Sequence, residues 1–414
     1  MSGERTRSVQ CCIAGGGPAG VMLGYLLARS GIDVLVLEKH ADFLRDFRGD
    51  TIHPSTLQIL NELGVLGAFL THPHSEVTEL AARIGDTTIA LATFAHVPGP
   101  CQFIAFMPQW DFLDFLVGRA RGFPSFHIEM QAEATDLLMD RDRVIGLRAQ
   151  TPAGALAVHA DLVVAADGRH SALRARAGLE VEDIGAPIDV LWMRLSRRPD
   201  DPGQTFGNIA AGGVLVAINR NEYYQCALVI RKGGFDDIRA GGLERLRADV
   251  AHLAPFLHDR VDELQNWDQV QLLSVTVDRL KTWYRPGFLC IGDAAHAMSP
   301  VGGVGINLAI ADAVATANRL VGPLQAGVPG AHDLRAVQRR RELPTRLMQG
   351  LQVFIQRRVL GRVLSSTSMT TAPWFLRALA SIPLVRRVPA LIVGFGFLPE
   401  HVRTLARPPA SGPD

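Results

Sequence analysis

Hydrophobic and polar positions near the start of the chain predict alternating strands and helices. A short apolar run at 8–14 predicts a strand, and the apolar stretch 18–30 predicts a helix directly after a glycine-rich turn. The run 33–37, DVLVL, is apolar after its first residue and is typical of a strand buried in a parallel sheet. A second helix is predicted next, where Ser55 and Gln58 form a capping-box pattern. This order predicts the first βαβ unit of an α/β fold.

The pattern changes in the middle of the chain, where aromatic residues become more frequent. Three runs, DVLWMRL, GGVLVAIN and YYQCALVIRKG, are predicted to be antiparallel strands, with a helix over GLERLRADVAHLAPFL among them. The chain then returns to a buried strand, GFLCIGD, and a helix over 305–321. Residues 331–405 are predicted to be helical, with prolines that break the segments. We therefore expect an α/β fold with an inserted antiparallel-sheet domain and C-terminal helices.

Composition and charge add limits on location and partners. The 414 residues are 48% hydrophobic and carry a net charge of +1, which leaves no strong field to attract nucleic acid or an anionic membrane. The apolar run 389–397 is shorter than the roughly 20 residues that a bilayer span needs. The N-terminus shows no signal-peptide pattern. We expect a cytoplasmic protein with no nucleic-acid partner and no stable membrane insertion.

The cysteines and histidines do not predict a metal site. The five cysteines show neither a C-x-x-C motif nor zinc-ligand spacing, so we expect them to be packed as small hydrophobic side chains. His72 and His74 flank a proline, with no further ligands at a suitable spacing. The arginine run in RAVQRRRELPTR is interpreted as a solvated helix face.

The first motif with a chemical interpretation is G-x-G-x-x-G, at Gly15, Gly17 and Gly20. Gly15 suits a tight turn, Gly17 lets the backbone approach a pyrophosphate, and Gly20 allows close helix packing. The free N–H groups at the start of the helix favour phosphate oxygens. Glu38 ends the next strand, where a carboxylate suits a ribose hydroxyl. A glycine turn without a ligand, and a surface position for Glu38, are the alternatives.

The second motif is the run GDAAHAMSPVGGVGIN, from Gly292 to Asn307, which follows a buried strand. Asp293 places a carboxylate at the strand end, which suits a polyol hydroxyl. The glycines allow the backbone to pass close to a flat ring, and a helix that begins near Gly305 would point its positive end at that ring. His296 lies inside this motif and is either a packed histidine or a catalytic candidate.

The third motif, in DLVVAADGRHSALR, is a D-G-x-x-S-x-x-R pattern that follows another strand. It consists of Asp167, Gly168, Ser171 and Arg174. Taken alone, it also fits a simple strand-to-helix turn in which Ser171 caps the helix and Arg174 is solvated.

In this order, the three motifs resemble the FAD-dependent aromatic hydroxylases, the single-component flavoprotein monooxygenases of the p-hydroxybenzoate hydroxylase type. The resemblance covers residues 8–325. It implies that the first motif holds the ADP part of FAD, that the D-G motif serves both FAD and the nicotinamide cofactor, and that the G-D motif contacts the ribityl chain. By position, Arg48 resembles a family arginine near the flavin, and Gln109 a polar residue near the ribityl chain. A surface or capping role would equally explain either residue.

The resemblance therefore gives a set of candidate site residues and no metal ligands. The cofactor-binding candidates are Gly15, Gly17, Pro18, Ala19, Gly20, Glu38, Lys39, Arg48, Gln109, Asp167, Gly168, Arg174, Gly292, Asp293, Gly302, Gly303, Gly305, Ile306 and Asn307. The flavin-proximal catalytic candidates are His296 and Pro300. The implied domains are a discontinuous Rossmann-type FAD-binding domain over 1–75, 105–180 and 277–330, a substrate-binding sheet domain over 76–104 and 181–276, and a C-terminal helical segment over 331–414.

The reaction implied by the resemblance is a hydroxylation. NADPH or NADH reduces FAD, O2 forms a flavin hydroperoxide, and an aromatic or similarly electron-rich small molecule receives one oxygen atom. An FAD-dependent reductase or epoxidase of the same fold, or a non-catalytic flavoprotein sensor, is the alternative. The sequence leaves open the substrate, the choice of nicotinamide cofactor, and whether the protein is a monomer or a homodimer. It also leaves open whether Trp192 or Met193 faces the substrate cavity.

Overall fold

The structure is a computed structural model that describes residues 4–44, 51–84, 87–202, 206–210, 212–220, 222–365 and 383–406. The strands are, in chain order, β1 (Arg5–Ala14), β2 (Val34–Glu38), β3 (Thr51–Ile52), β4 (Ser75–Val77), β5 (Glu79–Ile84), β6 (Thr87–Thr93), β7 (Ile104–Phe106), β8 (Phe126–Met130), β9 (Glu133–Asp140), β10 (Arg143–Thr151), β11 (Gly154–Ala165), β12 (Val181–Asp183), β13 (Ile188–Ser196), β14 (Phe206–Ala210), β15 (Gly213–Asn219), β16 (Tyr223–Arg231), β17 (Gln271–Leu273), β18 (Asp278–Leu280), β19 (Tyr284–Arg285) and β20 (Phe288–Cys290). The α-helices are α1 (Pro18–Arg29), α2 (Pro54–Glu62), α3 (Leu66–Phe69), α4 (Gln109–Ala120), α5 (Ala172–Arg176), α6 (Phe235–Ala240), α7 (Leu243–Leu253), α8 (Gly305–Ala326), α9 (Ala331–Ile355), α10 (Gly361–Ser365) and α11 (Pro383–Phe395).

The first sheet has a mainly parallel centre. Its strand order is β19-β20-β11-β1-β2-β8. In this order β20, β11, β1, β2 and β8 run parallel to one another, β19 is antiparallel to β20, and β9 and β10 add an antiparallel extension to β11. All five residues of β2 are buried, as expected for a strand covered on both faces. Helix α1 packs against both α4 and α8 beside this sheet. The α/β fold class predicted from the sequence is confirmed.

The second sheet has seven strands in the order β17-β13-β16-β15-β14-β5-β6, and it combines chain segments on either side of the third motif. One of its faces packs under helix α7, where Leu191, Met193 and Leu195 meet Leu246 and Val250. The opposite face, which we call the open face, carries Ile188, Val190, Trp192, Val214, Val216, Gln225, Ala227 and Val229. The predicted antiparallel strands in this region are confirmed.

Helices from the C-terminal part of the chain cover parts of the open face. Val363 of α10 packs on Ile188 and Val214, and α11 packs along β6. The predicted helix breaks at prolines are wrong at two positions, because Pro344 lies inside α9 and Pro389 inside α11. At Pro344 the ring is buried, so packing offsets the backbone hydrogen bond that proline cannot make.

The start of helix α2 and the burial of the cysteines each test a prediction made from the sequence. The predicted capping box at Ser55 is wrong, because α2 begins at Pro54 with His53 before it, and proline favours the first helical position. All five cysteines are buried and none forms a disulfide, which confirms that they pack as hydrophobic side chains. Burial raises the pKa of the Cys226 thiol to about 12.

One helix among the described residues, spanning Val301–Ala326, is long and apolar enough by length and composition to cross a membrane. Its most apolar window is 72% buried inside the protein. Because it packs against α1 and α9, this segment is a helix of the protein core.

Candidate cofactor-binding site

The first glycine motif forms a sharp turn between β1 and α1. Gly15 has a φ of +108°, and a Cβ atom there would lie 2.3 Å from the carbonyl oxygen of Ala166. A Cβ atom at Gly20 would lie 2.0 Å from the carbonyl oxygen of Gly15. Only glycine fits at these two positions, since one needs a left-handed backbone and both need close contact. The turn therefore brings the end of β1, the start of α1 and the end of β11 together.

The space in front of this turn is open. A Cβ atom at Gly17 would meet no heavy atom within 4 Å. Helix α1 has Pro18 in its first turn, no side-chain cap and no acidic residue near its start. Its first N–H groups and the positive end of its dipole are therefore available to an anion. This geometry fits the pyrophosphate of a dinucleotide.

Glu38 lies beside the same turn and is 8% exposed, so the surface position left open by the sequence is wrong. Its Oε2 accepts a hydrogen bond from the Gly16 N–H at 2.9 Å, and its Oε1 accepts one from the His40 N–H at 3.0 Å. These two bonds fix the carboxylate beside the glycine turn. The next residue, Lys39, is exposed.

The second motif begins with a 3₁₀ turn, Gly292–Ala294, directly against the first motif. Gly292 has a φ of +58°, and a Cβ atom there would lie 3.1 Å from the Cβ of Ala19. Asp293 is partly exposed, and its Oδ2 lies 3.8 Å from an Arg169 guanidinium nitrogen. The residues that the sequence predicted for the ADP part and the ribityl chain thus lie side by side.

The third motif joins this group through Arg174. The Ser171 hydroxyl accepts a hydrogen bond from the Arg174 N–H at 3.0 Å and caps α5, as the simple turn interpretation expects. The Arg174 side chain is not solvated: it donates to the carbonyl oxygens of Arg169 at 2.6 Å and Ala294 at 3.3 Å. It also lies 3.4 Å from Asp278. Arg174 therefore ties the second and third motifs together.

Asp167 supplies an unsatisfied acceptor next to the glycine turn. A Cβ atom at Gly15 would lie 2.8 Å from the Asp167 backbone nitrogen. The Asp167 Oδ1 is buried without a hydrogen-bond partner among the described residues, and burial raises the pKa of this carboxyl. Since a buried acceptor without a partner is costly, this oxygen fits a hydroxyl group of a bound cofactor.

The end of the second motif forms a loop fixed by side chains from α2 and β3. Gly302 and Gly303 have φ values of +81° and +63°, and the Gly303 carbonyl accepts a hydrogen bond from the Thr51 hydroxyl at 2.7 Å. The Asn307 Oδ1 accepts from the His53 N–H at 2.9 Å and the Thr56 hydroxyl at 2.7 Å. The Asn307 side chain thus holds neighbouring backbone, so any contact it makes with a cofactor is through its own backbone.

Helix α8 begins directly after this loop. A Cβ atom at Gly305 would meet no heavy atom within 4 Å, and the helix has neither a side-chain cap nor an acidic residue in its first turn. Ile306 is buried, and Pro300 accepts a hydrogen bond from the Gly303 N–H at 3.0 Å. Gln109 begins α4, and Arg48 lies outside the described residues.

His296 lies inside the protein, 1% exposed, with its Nε2 2.6 Å from Asp312 Oδ2. Burial alone would raise the pKa of Asp312, but the charges and hydrogen bonds of His296 and Arg341 lower it to about 2. Arg341 donates to Asp312 Oδ1 at 2.8 Å and is 1% exposed. The structure therefore favours the packed interpretation of His296 over the catalytic one.

The burial of Arg341 corrects the interpretation of the arginine run as a solvated helix face. Its neighbours Arg335 and Arg339 are exposed, whereas Arg341 points inward and forms ion pairs with the buried Asp312 and Glu400. Asp312 was missed by sequence reasoning, although a single carboxylate inside the apolar helix run NLAIADAVATA is a signal of a buried partner.

The open face of the second sheet contacts the 3₁₀ turn Val301–Gly303. We call this turn the flavin loop, because the sequence predicts that it lies against the flavin ring. Val301, next to Gly302, packs against Ile188, Val214 and Val229 on that face. Because the other face is covered by α7, the face that carries Trp192 is the one that packs next to this loop. Gln225 is a buried polar residue on the open face, and its Oε1 accepts a hydrogen bond from Arg220 at 3.2 Å.

Comparisons with known proteins agree with this geometry. A family model described as an FAD binding domain matches residues 8–350. The chain is 31% identical over 383 residues to the 6-methylpretetramide 4-monooxygenase of Streptomyces rimosus, covering 91% of each chain. It is 26% identical over 431 residues to the aklavinone 12-hydroxylase of Streptomyces peucetius, covering 94% of this chain and 80% of the other. Among solved structures, the anhydrotetracycline hydroxylase of Streptomyces rimosus superposes with a TM-score of 0.73 at 21% identity, over 94% of this chain and 76% of that one.

Proposed function

The chain belongs to the FAD-binding domain family and is an FAD-dependent monooxygenase of the aromatic hydroxylase type, and from this we propose that it uses NAD(P)H and O2 to hydroxylate an aromatic polyketide. The observation that carries the proposal is the 31% identity over 91% of both chains to a relative named as a 6-methylpretetramide monooxygenase. The aklavinone hydroxylase is a second relative named for an oxygenation reaction. We expect the protein to act in the cytoplasm on a small molecule, as a monomer or a homodimer.

The residues that would hold FAD come from all three motifs. The N–H groups at the start of α1 would bind the pyrophosphate, with Gly17 leaving room for it. Glu38 would accept hydroxyl groups of the adenosine ribose, and Asp293 those of the ribityl chain. When bound, FAD supplies the redox and oxygen-activating chemistry, while the protein positions the reactants.

The flavin loop would hold the ring. Gly302 and Gly303 place no side chains on the last two residues of the loop. Helix α8 begins just after them, so the positive end of its dipole lies next to these glycines. Such a dipole favours negative charge, as on a reduced ring. Thr51 and Asn307 keep this loop in one conformation through hydrogen bonds to its backbone and to the neighbouring strand.

The substrate would lie on the open face, beside the place where Val301 of the flavin loop contacts it. This face is apolar around Val216 and Ala227, which suits the flat body of an aromatic molecule, and enclosure there would exclude water. The Gln225 Nε2 is buried without a hydrogen-bond partner among the described residues. Because Arg220 holds the Gln225 Oε1, the amide group is turned so that Nε2 would donate to a substrate oxygen.

The experiment that tests this proposal measures NAD(P)H oxidation by the FAD-loaded protein with a panel of polycyclic phenols, including 6-methylpretetramide. We expect oxidation to be stimulated by some of the polycyclic compounds, with a product heavier by one oxygen atom. Single-ring phenols serve as the matched comparison. A protein that binds FAD yet shows no stimulation with any phenol would contradict the proposal.

A further inference from the structure

Helix α9 buries a polar face where an apolar face would be expected. The residues on this face repeat at intervals of three or four, as one side of a helix requires. They are Gln338, Arg341, Thr345, Gln349 and Gln352, followed by Gln356 at the start of a π-helical turn, and all are buried. Buried amides are costly unless they are hydrogen-bonded, so their partners explain why they are there.

The glutamines of this face bind the chain that leads into the flavin loop. Gln349 Nε2 donates to the carbonyl oxygens of Asp278 at 2.8 Å and Ala297 at 3.1 Å. Gln352 Nε2 donates to the carbonyl oxygens of Ser299 at 3.0 Å and Val301 at 2.8 Å. The contacts thus follow the second motif step by step toward Gly302.

Gln356 adds a contact to the same stretch. Its Nε2 donates to the Ser299 hydroxyl, which itself accepts a hydrogen bond from the Val301 N–H at 3.1 Å. Gln356 also begins the π-helical turn Gln356–Leu360, and such turns are frequent at functional sites. Two consecutive turns of the helix therefore converge on Ser299 and Val301.

The stretch that these side chains hold has no regular structure of its own. Residues 296–299 belong to no helix or strand, so their backbone carbonyl groups need partners from elsewhere. The next residues form the 3₁₀ turn Val301–Gly303, in which Gly302 and Gly303 adopt left-handed conformations. The conformation of this turn therefore depends on what anchors its two ends. Thr51 and Asn307 bind Gly303 at one end, and Gln352 binds Ser299 and Val301 at the other.

The amides are not placed for stability alone. The Oε1 atoms of Gln352 and Gln356 are buried without hydrogen-bond partners among the described residues. An unpaired buried carbonyl is unfavourable, and an apolar side chain would avoid it. What the amide provides at these positions is a donor aimed at the loop backbone.

We propose that Gln352 is a positioning residue for the oxygenation reaction, which acts by fixing the Ser299–Val301 backbone and through it the Gly302–Gly303 turn. This inference rests on the proposed role of that turn in holding the flavin ring. Gln352 touches neither substrate nor cofactor in this account. It makes helix α9, which follows the three motifs in the chain, part of the machinery that places the ring against the substrate.

The test compares Gln352→Met with Gln338→Met in the full-length, FAD-loaded protein. Gln338 lies on the same helix face and makes two backbone contacts, accepting from the Trp283 N–H at 3.0 Å and donating to the Lys281 carbonyl at 3.0 Å. Both variants lose two hydrogen bonds to backbone groups, and Gln338→Met also loses a 3.5 Å contact with Glu342, but only Gln352→Met releases the flavin loop. The readouts are the visible spectrum and reduction potential of bound FAD, and the fraction of oxidised NAD(P)H that yields product.

We expect Gln352→Met to shift the flavin spectrum and potential and to lower the product yield per NAD(P)H by about tenfold, since small displacements of reacting groups have large effects on rate. Gln338→Met should match wild type in all three readouts, even if both variants melt earlier. If Gln352→Met does not fold, Gln356→Met, which loses its bond to Ser299, gives the same comparison.

Equal readouts for the two variants, either both unchanged or both shifted alike, would overturn the inference. A failure of the proposed function looks different. In that case the wild-type protein itself would show no substrate-stimulated NAD(P)H oxidation, while the spectrum and potential would still report whether Gln352 sets the flavin loop.

Discussion

The two large sheets are covered by their neighbours in different ways, and their candidate functional groups therefore lie in different places. In the first sheet, strands such as β2 are buried along their whole length, so the functional groups lie in loops at the strand ends. There, backbone N–H groups, glycines and helix starts form the candidate cofactor site. In the second sheet one face packs under α7, and the open face, which carries side chains such as Trp192 and Gln225, contacts the flavin loop through Val301.

We therefore expect cofactor recognition and substrate recognition to depend on different parts of the chain. The proposed cofactor region is built mainly from backbone, with the carboxylates of Glu38, Asp167 and Asp293 beside it, so changes that block or shift the backbone should have the largest effect on FAD binding. The open face is built from side chains, so changes there should alter the substrate and leave FAD in place. The following predictions test this separation.

The largest effect is expected for Gly17→Val. The added side chain would fill the open space in front of α1, so we expect FAD affinity to fall by more than about a hundredfold, which corresponds to roughly 2.7 kcal/mol. The fold should survive, because a Cβ atom at Gly17 meets no protein atom within 4 Å. FAD titration and circular dichroism measure the two outcomes. FAD binding at the wild-type level would contradict the placement of the pyrophosphate.

A smaller loss of FAD is expected for Asp293→Ala. Removing a carboxylate that accepts hydroxyl groups should weaken FAD binding by about 1.5–3 kcal/mol. The control is Asp136→Ala, which removes an exposed carboxylate on β9. Isothermal titration with FAD distinguishes the two variants, and equal affinities would remove Asp293 from the site.

Acid titration tests the buried ion pair behind the cofactor region. The pKa of Asp312 is lowered to about 2, so its contribution to stability is complete above the unfolded pKa of about 4 and is lost as the pH falls through 2. The lost free energy of unfolding should be about 2 kcal/mol. Chemical denaturation at several pH values should show this step in wild type but not in Asp312→Asn. The same step in both proteins would contradict the assignment.

The smallest effect is expected on the open face. Gly207 pairs with Val216 across β14 and β15, and a Cβ atom there would meet no heavy atom within 4 Å. Gly207→Val should therefore occupy cavity space and raise KM for bulky substrates by about tenfold. FAD content should stay at the wild-type level. A loss of FAD in this variant would break the separation between the two regions.

The sequence motifs could predict the glycine turn of the candidate cofactor region, because the contacts that require glycine there are local. Gly15 and Gly20 are needed for contacts within one turn, and a short motif records such contacts. Asp312, the partner of His296, lies 16 residues further along the chain, and Arg341, which donates to Asp312, lies another 29 residues beyond it, so no local pattern connects the three residues. For the same reason the sequence did not indicate that α9 anchors the flavin loop or that α10 packs on the open face. Which face of β13 packs under α7 and which is left to the proposed substrate site also depends on contacts between distant segments.

The most direct test of the account is incorporation of oxygen from O2. The FAD-loaded protein is given NAD(P)H, a polycyclic phenol that stimulates its oxidation, and O2 labelled with a heavy isotope, and the product is examined by mass spectrometry. We predict one labelled oxygen atom in each product molecule and no conversion when O2 is absent. Conversion that proceeds equally well without O2, with no label in the product, would contradict it and identify a reductase.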